Sequence, residues 1–379
     1  MNLGPNEGLI GVPGSRWRLS TPALLLDVDA FDKNIRKMAG YCRTAGCHLR
    51  PHLKGPKSVN VAKRQMVAGA IGVTCATLGE AEIMVDAEIS GVLVTSPIVT
   101  DTMIDRLIAL NSRSDALLVV ADNPQIVDAF DAAARKSGKA LAVLIDYDVG
   151  QRRTGAVTEQ AAVNLAARVS KSNNLEYMGL QAYYGHLQGT YAFDERETAV
   201  TAQVEKLQSL SNRLAREGLE IQVVSGGGTG TFVIDLDAEF FTELQPGSYP
   251  FMDAQYDKVE ITKEDPRPFE IALFVQATVV STNQEGTVTI NAGMKAVPTD
   301  GVPPWFTVGA RRNCRYSSGG DEFGFVHYEK PEDDYLSVGD VIECVTPHCD
   351  TTTNLYNVLH CVRGDELVDI WPIHARGRW

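Results

Sequence analysis

The sequence lacks the features of a membrane, secreted or nucleic-acid-binding protein. No apolar run approaches the ~18 residues that mark a membrane-spanning helix. The first residues show no basic start followed by an apolar segment, so we expect no secretory signal. Basic residues are not in excess either, since 35 Lys and Arg face 48 Asp and Glu and the net charge is −13. Because nucleic-acid binding needs a basic surface, this charge argues against that class.

Paired cysteines are also missing. The seven cysteines include no CxxC motif, and an odd number cannot all pair within one chain. Neither a disulfide framework nor a structural zinc site is therefore indicated, and we expect a reduced, cytoplasmic protein. The 44% of hydrophobic residues can form a sizeable core.

Strand-like and helix-like segments alternate over the first two thirds of the chain. An apolar run at 23–28 predicts a buried first strand, and Asp29 is the predicted N-cap of a helix at Ala30–Ala45. The further strand candidates are His48–Pro51, Gly72–Cys75, Gly91–Thr95, Ala116–Val120, Leu141–Tyr147, Tyr177–Ala182, Gln222–Ser225 and Glu243–Leu244. About eight such β-then-α units predict a (β/α)8 barrel. A doubly wound open sheet is the alternative, disfavoured because no GxGxxG follows the first strand.

The pattern changes after Pro266. The segment Ala272–Thr289 alternates apolar and polar residues, and clusters of turn residues then recur every 8–12 positions, which predicts an antiparallel β domain. We therefore expect an N-terminal arm over 1–20, a barrel over 21–260 and a β domain over 261–379. Whether the first strand or the arm packs with the β domain stays open.

The first candidate site is the basic segment His48–Ser58, which follows the second strand candidate. Barrel active sites lie at the carboxyl ends of the strands. A partly desolvated Lys54 among basic neighbours would have a lowered pKa and could form a Schiff base. The alternative is a surface lysine in a basic loop.

Two glycine-bearing segments follow later strand candidates. Ser225–Thr231 reads SGGGTGT, and Glu243–Tyr249 reads ELQPGSY. Successive glycines let backbone N–H groups converge on one phosphate, and hydroxyl side chains add donors. Because the last two loops of a barrel commonly share one phosphate, the pair predicts a monophosphate cofactor. A plain strand-to-helix turn is the alternative for the first segment.

The segment Thr346–Thr352, TPHCDTT, lies in the predicted β domain. On an extended strand, His348 and Asp350 would point to one side and Cys349 to the other. Imidazole and carboxylate suit Mn, Mg or Zn, with water or substrate completing the coordination. The alternative is a polar loop without a metal.

Together these features resemble the D-threonine aldolase and D-serine dehydratase family of fold-type III, alanine-racemase-like enzymes, which use pyridoxal 5'-phosphate. The matching motifs are Arg50-Pro51-His52-x-Lys54, Asp148-Val149-Gly150-Gln151-x-Arg153-x-Gly155, Gly179-Leu180-Gln181-Ala182-Tyr183, the two glycine-bearing segments extended to Asp253, Asp321-Glu322-x-Gly324 and Pro347-His348-Cys349-Asp350. The His-Cys-Asp order is closest to the D-threonine and D-3-hydroxyaspartate aldolase branch. The dehydratase branch is distinguished by a His-x-Cys pair that binds zinc.

The resemblance implies a lyase that cleaves D-β-hydroxy-α-amino acids, D-threonine-like, to glycine and an aldehyde. Lys54 would hold the cofactor, and His348 with Asp350 would hold a divalent metal that binds the substrate β-hydroxyl. The other implied cofactor contacts are Arg153 (or Arg152) and Tyr183 at the ring, Gly228, Thr229, Gly247 and Ser248 at the phosphate, and Gln245 near the pyridine nitrogen. A neutral partner there would keep the pyridine less protonated and weaken it as an electron sink.

Three positions depart from the family pattern. Pro56, Gly189 and Phe323 stand where the family usually has His, at positions suited to a general base or to the metal site. His186, three residues before Gly189, is our predicted substitute base. The alternative is that His186 is an unrelated histidine in a polar loop.

Other reactions of this fold stay open as alternatives: a D-3-hydroxyaspartate aldolase, a D-serine or hydroxyaspartate dehydratase, an amino-acid racemase and, more remotely, a non-catalytic pyridoxal-phosphate-binding protein. The β domain and the His348/Asp350 pair argue against the last, since such proteins are usually single barrels. The resemblance also implies a homodimer in which the β domain of one chain closes the barrel of the other. We expect a small-molecule substrate and neither a nucleic-acid nor a membrane partner.

Overall fold

The structure, a computed structural model, describes residues 3–310, 313–330 and 335–379. Its first part alternates strands and helices. In chain order these are β1 (Ala23–Asp27), α1 (Val28–Thr44), β2 (His48–Leu49), α2 (Val59–Val67), β3 (Val73–Cys75), α3 (Leu78–Asp86), β4 (Val92–Val94), α4 (Asp101–Arg113), β5 (Leu117–Ala121), α5 (Pro124–Ser137), β6 (Leu141–Asp146), α6 (Glu159–Ser170), β7 (Leu175–Ala182), α7 (Phe193–Arg216), β8 (Val223–Gly226), α8 (Phe232–Asp237) and β9 (Glu243–Leu244).

The later part is mostly strand. Its elements are β10 (Leu273–Gln284), β11 (Thr287–Ile290), β12 (Trp305–Val308), β13 (Arg315–Ser318), β14 (Gly324–His327), β15 (Val341–Val345), α9 (Cys349–Thr353), β16 (Val358–Arg363) and β17 (Glu366–Pro372). No helix within the described ranges is long and apolar enough to cross a membrane.

Eight parallel strands form the barrel. They run in the order β2-β9-β8-β7-β6-β5-β4-β3, and the two end strands meet beyond β2. There Leu53 N–H donates to the Thr74 carbonyl at 2.8 Å, and Thr74 N–H donates to Pro51 at 2.9 Å. These bonds close the sheet and confirm the predicted (β/α)8 architecture. All eight carboxyl ends therefore face one rim, where barrel enzymes place their chemistry.

Strand β1 lies in the second sheet. It pairs antiparallel with β10 and parallel with β16, so it forms the middle of a nine-stranded sheet made otherwise of later residues. The question that the sequence left open is thereby answered for the first strand. The boundaries predicted at residues 21 and 261 stay predictions.

The N-terminal arm also packs on this sheet. Arg16 forms an ion pair with Glu343 at 2.6 Å, and Asn6 lies 2.9 Å from His360 Nε2. Residues 1–2 of the predicted arm lie outside the described residues. The arm thus fastens the start of the chain to the sheet that carries the predicted metal motif.

Helix α1 begins two residues earlier than predicted. Its N-cap is Asp27, whose carboxylate accepts from the N–H groups of Asp29 and Ala30 at 3.1 and 3.0 Å. The prediction of Asp29 as the cap was therefore wrong. Asp27 and Asp29 both lie at this turn. Strand β1 ends at Asp27, so Asp27 has the extended backbone that a cap needs, whereas Asp29 already lies in the helix.

Candidate active site

A cavity of about 220 Å³ opens at the carboxyl ends of the barrel strands. Its walls include four of the residues predicted to form the site, namely Lys54, Arg153, Tyr183 and Gln245, together with His52 and Gln181. The barrel brings these residues together because each follows, or ends, a parallel strand. The cavity is large enough for a small aromatic ligand.

Lys54 meets a residue of the second sheet at this cavity. Its Nζ forms an ion pair with the Asp350 carboxylate. Burial lowers the pKa of Lys54, but Asp350 outweighs burial and holds that pKa above its ordinary range. The expected lowered pKa of Lys54 was therefore wrong, because the basic neighbours were visible in sequence and the distant carboxylate was not. Burial also raises the pKa of Asp350, yet Lys54 and His348 bring it down to about 2.

His348 is oriented by a carboxylate from the barrel side. Its Nδ1 donates to Asp253 Oδ2 at 2.9 Å, which turns Nε2 toward Asp350 Oδ2 at 3.9 Å. Burial lowers the pKa of His348, but the hydrogen bond to Asp253 and the charge of Asp350 raise it above its ordinary value. A carboxylate behind a histidine is the usual support of a metal-binding imidazole.

The segment that carries His348 and Asp350 is not an extended strand as predicted. His348 is extended, but Cys349–Thr353 turns into the short helix α9. The hydroxyls of Thr351 and Thr352 donate to the His348 carbonyl at 3.3 and 2.7 Å, which favours the turn. The helical turn still brings Asp350 to the Nε2 side of His348.

Three groups, Asp253, His348 and Cys349, have ligand atoms within 4.8 Å of one another. Asp253 is less suited than His348 to bind a metal, because both of its oxygens already accept hydrogen bonds from groups of the fold. Its Oδ2 accepts from His348 and from Cys349 N–H at 2.9 Å, and its Oδ1 accepts from Tyr256 N–H at 2.8 Å. The buried Cys349 thiol donates to Asp350 Oδ1 at 3.5 Å. Asp253 thus orients His348. The sequence places it in a matching motif, but its role was not recognised, since it lies 95 residues from its partner.

The two glycine-bearing loops lie side by side. Thr229 Oγ1 accepts from the N–H groups of Ser248 and Tyr249, both at 3.1 Å. Among the described residues, the N–H groups of Thr229 and Gly247 donate to no acceptor. These adjacent loops therefore provide free backbone donors of the kind that a phosphate requires.

Gln188 fills the space left by the glycines. Its Oε1 accepts from Gly230 N–H at 3.0 Å, and a Cβ built on Gly228 would lie only 2.4 Å from that oxygen. Below them, the buried Asp235 accepts from the hydroxyls of Tyr184 and Thr231. Neither Gln188 nor Asp235 was identified from sequence, because nothing local links them to the glycines.

The two adjacent arginines, Arg152 and Arg153, differ in their position relative to the cavity. Arg153 lies over the Tyr183 ring, 5.6 Å from its centroid, and lines the cavity. Arg152 is not among the residues that line the cavity; its φ is 55°, and its N–H donates to Asp148. Burial raises the pKa of Tyr183 and Lys54 opposes this effect. Of the two arginines, Arg153 is therefore the one that lines the cavity.

His186 is exposed on the loop after β7, the strand that leads to Tyr183. It lies beside the turn at Gly150, where a built Cβ would be 3.7 Å from its imidazole. It is not among the residues that line the cavity. Its predicted part as the base stays a prediction.

Comparison with known proteins matches both parts of the chain. Residues 26–255 match the alanine racemase N-terminal domain, and residues 272–362 match a serine dehydratase domain. A 3-hydroxy-D-aspartate aldolase of Paracoccus denitrificans (strain Pd 1222) is 35% identical over 95% of this chain and 93% of its own length. A D-threonine aldolase of Arthrobacter sp is 33% identical with the same coverage.

A solved structure extends this likeness to three dimensions. The D-threonine aldolase from Filomicrobium marinum superposes with a TM-score of 0.91 at 35% identity, and the match covers 96% of both chains. Both parts of the fold and their arrangement are thus shared with an aldolase.

Proposed function

We propose that this chain cleaves D-threonine-like substrates with the help of pyridoxal phosphate and a divalent metal. It belongs to the alanine-racemase-like family that includes D-threonine aldolase and 3-hydroxy-D-aspartate aldolase, and it is therefore a lyase of D-β-hydroxy-α-amino acids. The observation that carries the proposal is the His348/Asp350 pair at the Lys54 amine. A cofactor-binding lysine and a candidate metal pair share one cavity mouth.

The residues present fit pyridoxal phosphate. Lys54 supplies an amine at the cavity, and the free N–H groups of Thr229 and Gly247 supply donors for the phosphate. Gly228 and Ser248 complete the proposed phosphate contacts, while Arg153 and Tyr183 flank the ring position. When bound, this cofactor supplies an electron sink for the cleavage of a bond to Cα.

The residues also fit a divalent cation. His348 Nε2 and an Asp350 oxygen face each other at 3.9 Å, and the ammonium of Lys54 already lies against the same carboxylate. One imidazole and one carboxylate leave open positions, as in catalytic metal sites. A cation held there would polarise the β-hydroxyl of a substrate and lower its pKa.

We propose that His186 carries out the remaining proton transfer. Removal of a general base typically lowers kcat by about 10²–10⁴-fold. We expect this loss in His186→Gln, with His48→Gln as the matched exposed control. If His186→Gln keeps the wild-type kcat across the pH range, the base is a group inside the cavity.

Product analysis tests the proposed function. The protein is incubated with D-threonine, D-phenylserine, D-3-hydroxyaspartate and D-serine, each with Mn, Mg or Zn, and the products are identified. Glycine plus an aldehyde is the expected result. A 2-keto acid plus ammonia would instead show a dehydratase, and inversion at Cα would show a racemase.

Two variants separate the parts of the proposal. Lys54→Ala should abolish the visible absorbance of bound pyridoxal phosphate. Asp350→Asn should retain that absorbance and lose the dependence of activity on added metal, whereas Asp365→Asn, at an exposed turn, should behave as wild type. A wild-type protein that takes up no pyridoxal phosphate would contradict the proposal.

We place this reaction in the cytoplasm. All seven cysteines are free, and six of them are not merely unpaired but buried. Free thiols are typical of reducing compartments. Fractionation of the producing cells with compartment markers tests this location.

A further inference from the structure

Gln245 lies at the polar floor of the cavity, and its side-chain amide has two possible orientations. The Gln245 amide nitrogen lies 2.7 Å from Ser225 Oγ and 3.4 Å from Gln181 Oε1. A glutamine amide can be turned by 180°, which exchanges its donor end for its acceptor end, and the neighbouring hydrogen bonds decide between the two orientations. The orientation determines which kind of polar group the cavity offers to a ligand.

The first constraint comes from a buried ion pair. Glu243 accepts from Arg50 at 2.8 Å and 2.7 Å through its two oxygens, and Ser225 Oγ lies 2.6 Å from the first oxygen. A carboxylate can only accept, so the single hydroxyl proton of Ser225 points to Glu243. Ser225 must therefore accept from Gln245, which places the NH₂ end of the amide at Ser225.

The second constraint is independent of the first. Gln181 Nε2 lies 3.2 Å from the Thr95 carbonyl oxygen, which can only accept, and 3.3 Å from Asp146 Oδ1. The Gln181 nitrogen therefore faces Thr95, and its oxygen faces Gln245. This oxygen needs a donor, so it takes the second N–H of Gln245.

Both N–H groups of Gln245 are thus engaged, and only its carbonyl oxygen remains. Within the described residues no donor reaches that oxygen, and it is not enclosed by protein atoms although the residue as a whole is buried. Gln245 lines the cavity, so the cavity is where this oxygen has its free surface. A ligand that reaches it must donate a proton.

We propose that Gln245 is a hydrogen-bond acceptor toward the ring in this cavity and thereby holds the pyridine nitrogen of the cofactor in its protonated form. Ser225, Glu243 and Gln181 fix the amide in this orientation. The proposal rests on the proposed function, since the ring is that of pyridoxal phosphate and its nitrogen is placed near Gln245 by the family resemblance. It reverses the expectation from sequence that a neutral residue would leave the pyridine less protonated. A protonated ring is the stronger electron sink, which suits cleavage of a carbon–carbon bond.

The test measures the protonation state of the ring directly. The protein is loaded with pyridoxal phosphate labelled with ¹⁵N in the ring, and the ¹⁵N chemical shift is recorded across the pH range in which the protein is stable. We expect a pyridinium shift in the wild type. Gln245→Glu, an acceptor, should keep that shift, whereas Gln245→Arg, a donor, should give the shift of an unprotonated pyridine.

Two further variants test whether Ser225 fixes the Gln245 amide and whether the effect is specific to this position. Ser225→Ala removes one of the two groups that fix the amide, so the ring nitrogen should lose its proton at a lower pH than in the wild type. Gln222→Arg, an exposed substitution just before β8 at the other end of the barrel, should leave the shift unchanged. An unprotonated ring in the wild type, or an unchanged shift in Gln245→Arg, would overturn the inference.

The visible absorbance of the loaded protein separates this inference from the proposed function. Uptake of the cofactor with an unprotonated ring overturns the role of Gln245 and leaves the aldolase proposal standing. Failure to take up the cofactor, with Lys54→Ala indistinguishable from wild type, overturns both.

Discussion

At the scale of single residues, Asp253 is the group whose role the geometry defines most sharply. It accepts from His348 Nδ1 and from Cys349 N–H, so one carboxylate sets both the imidazole and the start of α9. Loss of such a support typically lowers metal affinity by about 10–100-fold. We expect this loss in Asp253→Asn, measured as the Mn²⁺ dissociation constant by calorimetry.

The control for Asp253→Asn is Asp365→Asn, which changes the same charge at an exposed turn. Thermal unfolding of both variants establishes that they are folded at the temperature of the titration. An unchanged dissociation constant in folded Asp253→Asn would show that His348 does not need its carboxylate.

Asp235 gives a prediction about pH. Burial raises its pKa to about 7, and its donors are the hydroxyls of Tyr184 and Thr231 rather than a cation. An unfolded Asp has a pKa of about 4, so the folded state holds the proton more tightly. The stability that this proton contributes is present below pH ~4 and is lost as the pH rises toward 7.

We therefore expect the free energy of unfolding of the wild type, relative to Asp235→Asn, to fall by about 2–3 kcal/mol between pH 5 and pH 8. Urea unfolding at both pH values measures it. Asp237→Asn, exposed on the same helix, should show the wild-type slope. Identical slopes for wild type and Asp235→Asn would contradict a raised pKa.

At the scale of elements, most strands and the barrel could be predicted from sequence because their signal is local. The candidate Glu243–Leu244 is a strand as predicted, and Leu141–Tyr147 differs from β6 by one residue. Strand β1 was also predicted, but not its sheet. An apolar run predicts burial, whereas its partners β10 and β16 lie some 250 and 335 residues further along the chain.

The same limit applies to the site. Lys54, Arg153, Tyr183 and Gln245 were predicted, and they lie together because the barrel gathers strand ends. Asp253, Gln188 and the orientation of Gln245 depend on contacts between distant segments, and no local pattern encodes such contacts. The pKa of Lys54 was misjudged for the same reason, because Asp350 comes from the other sheet.

The C-terminal tail is an element that joins the two halves of the site. Ala375 N–H donates to the Lys57 carbonyl at 2.9 Å, just after the Lys54 loop. Arg376 donates to the Asn354 carbonyl and to Asn357 Oδ1, both at 2.7 Å, just after α9. The tail therefore joins the segment that carries Lys54 to the segment that carries His348 and Asp350.

Deletion of residues 374–379 should loosen both segments. We expect a loss of metal affinity of about 10–100-fold, as for other supports of a metal site, together with weaker uptake of pyridoxal phosphate. Deletion of 378–379 alone, which keeps Arg376, is the control and should bind metal far more tightly than the longer deletion. Wild-type metal affinity after the longer deletion would show that the tail contributes stability only.

At the scale of the whole molecule, the part of the chain that forms the second sheet carries an exposed apolar patch. Met294 and Phe323 are 43% and 48% exposed, and the backbone of Gly293 packs directly against Phe323. The loop that follows Met294 contacts α9, because Thr351 donates to Asp300 at 2.9 Å. The Met294/Phe323 patch is therefore a candidate contact surface for a second subunit.

The homodimer implied by the family resemblance should form at this patch. Exposed apolar area that is hidden from water in a dimer stabilises association, and a buried unpaired charge opposes it. We expect the double variant Met294→Glu/Phe323→Glu to be a monomer by light scattering and to lose activity on dilution, whereas the wild type stays a dimer. Val67→Glu/Val157→Glu adds the same charge at positions that are 90% and 74% exposed on the barrel. If this control dissociates equally, net charge rather than the patch governs assembly, and a dimeric Met294→Glu/Phe323→Glu protein would place the interface elsewhere.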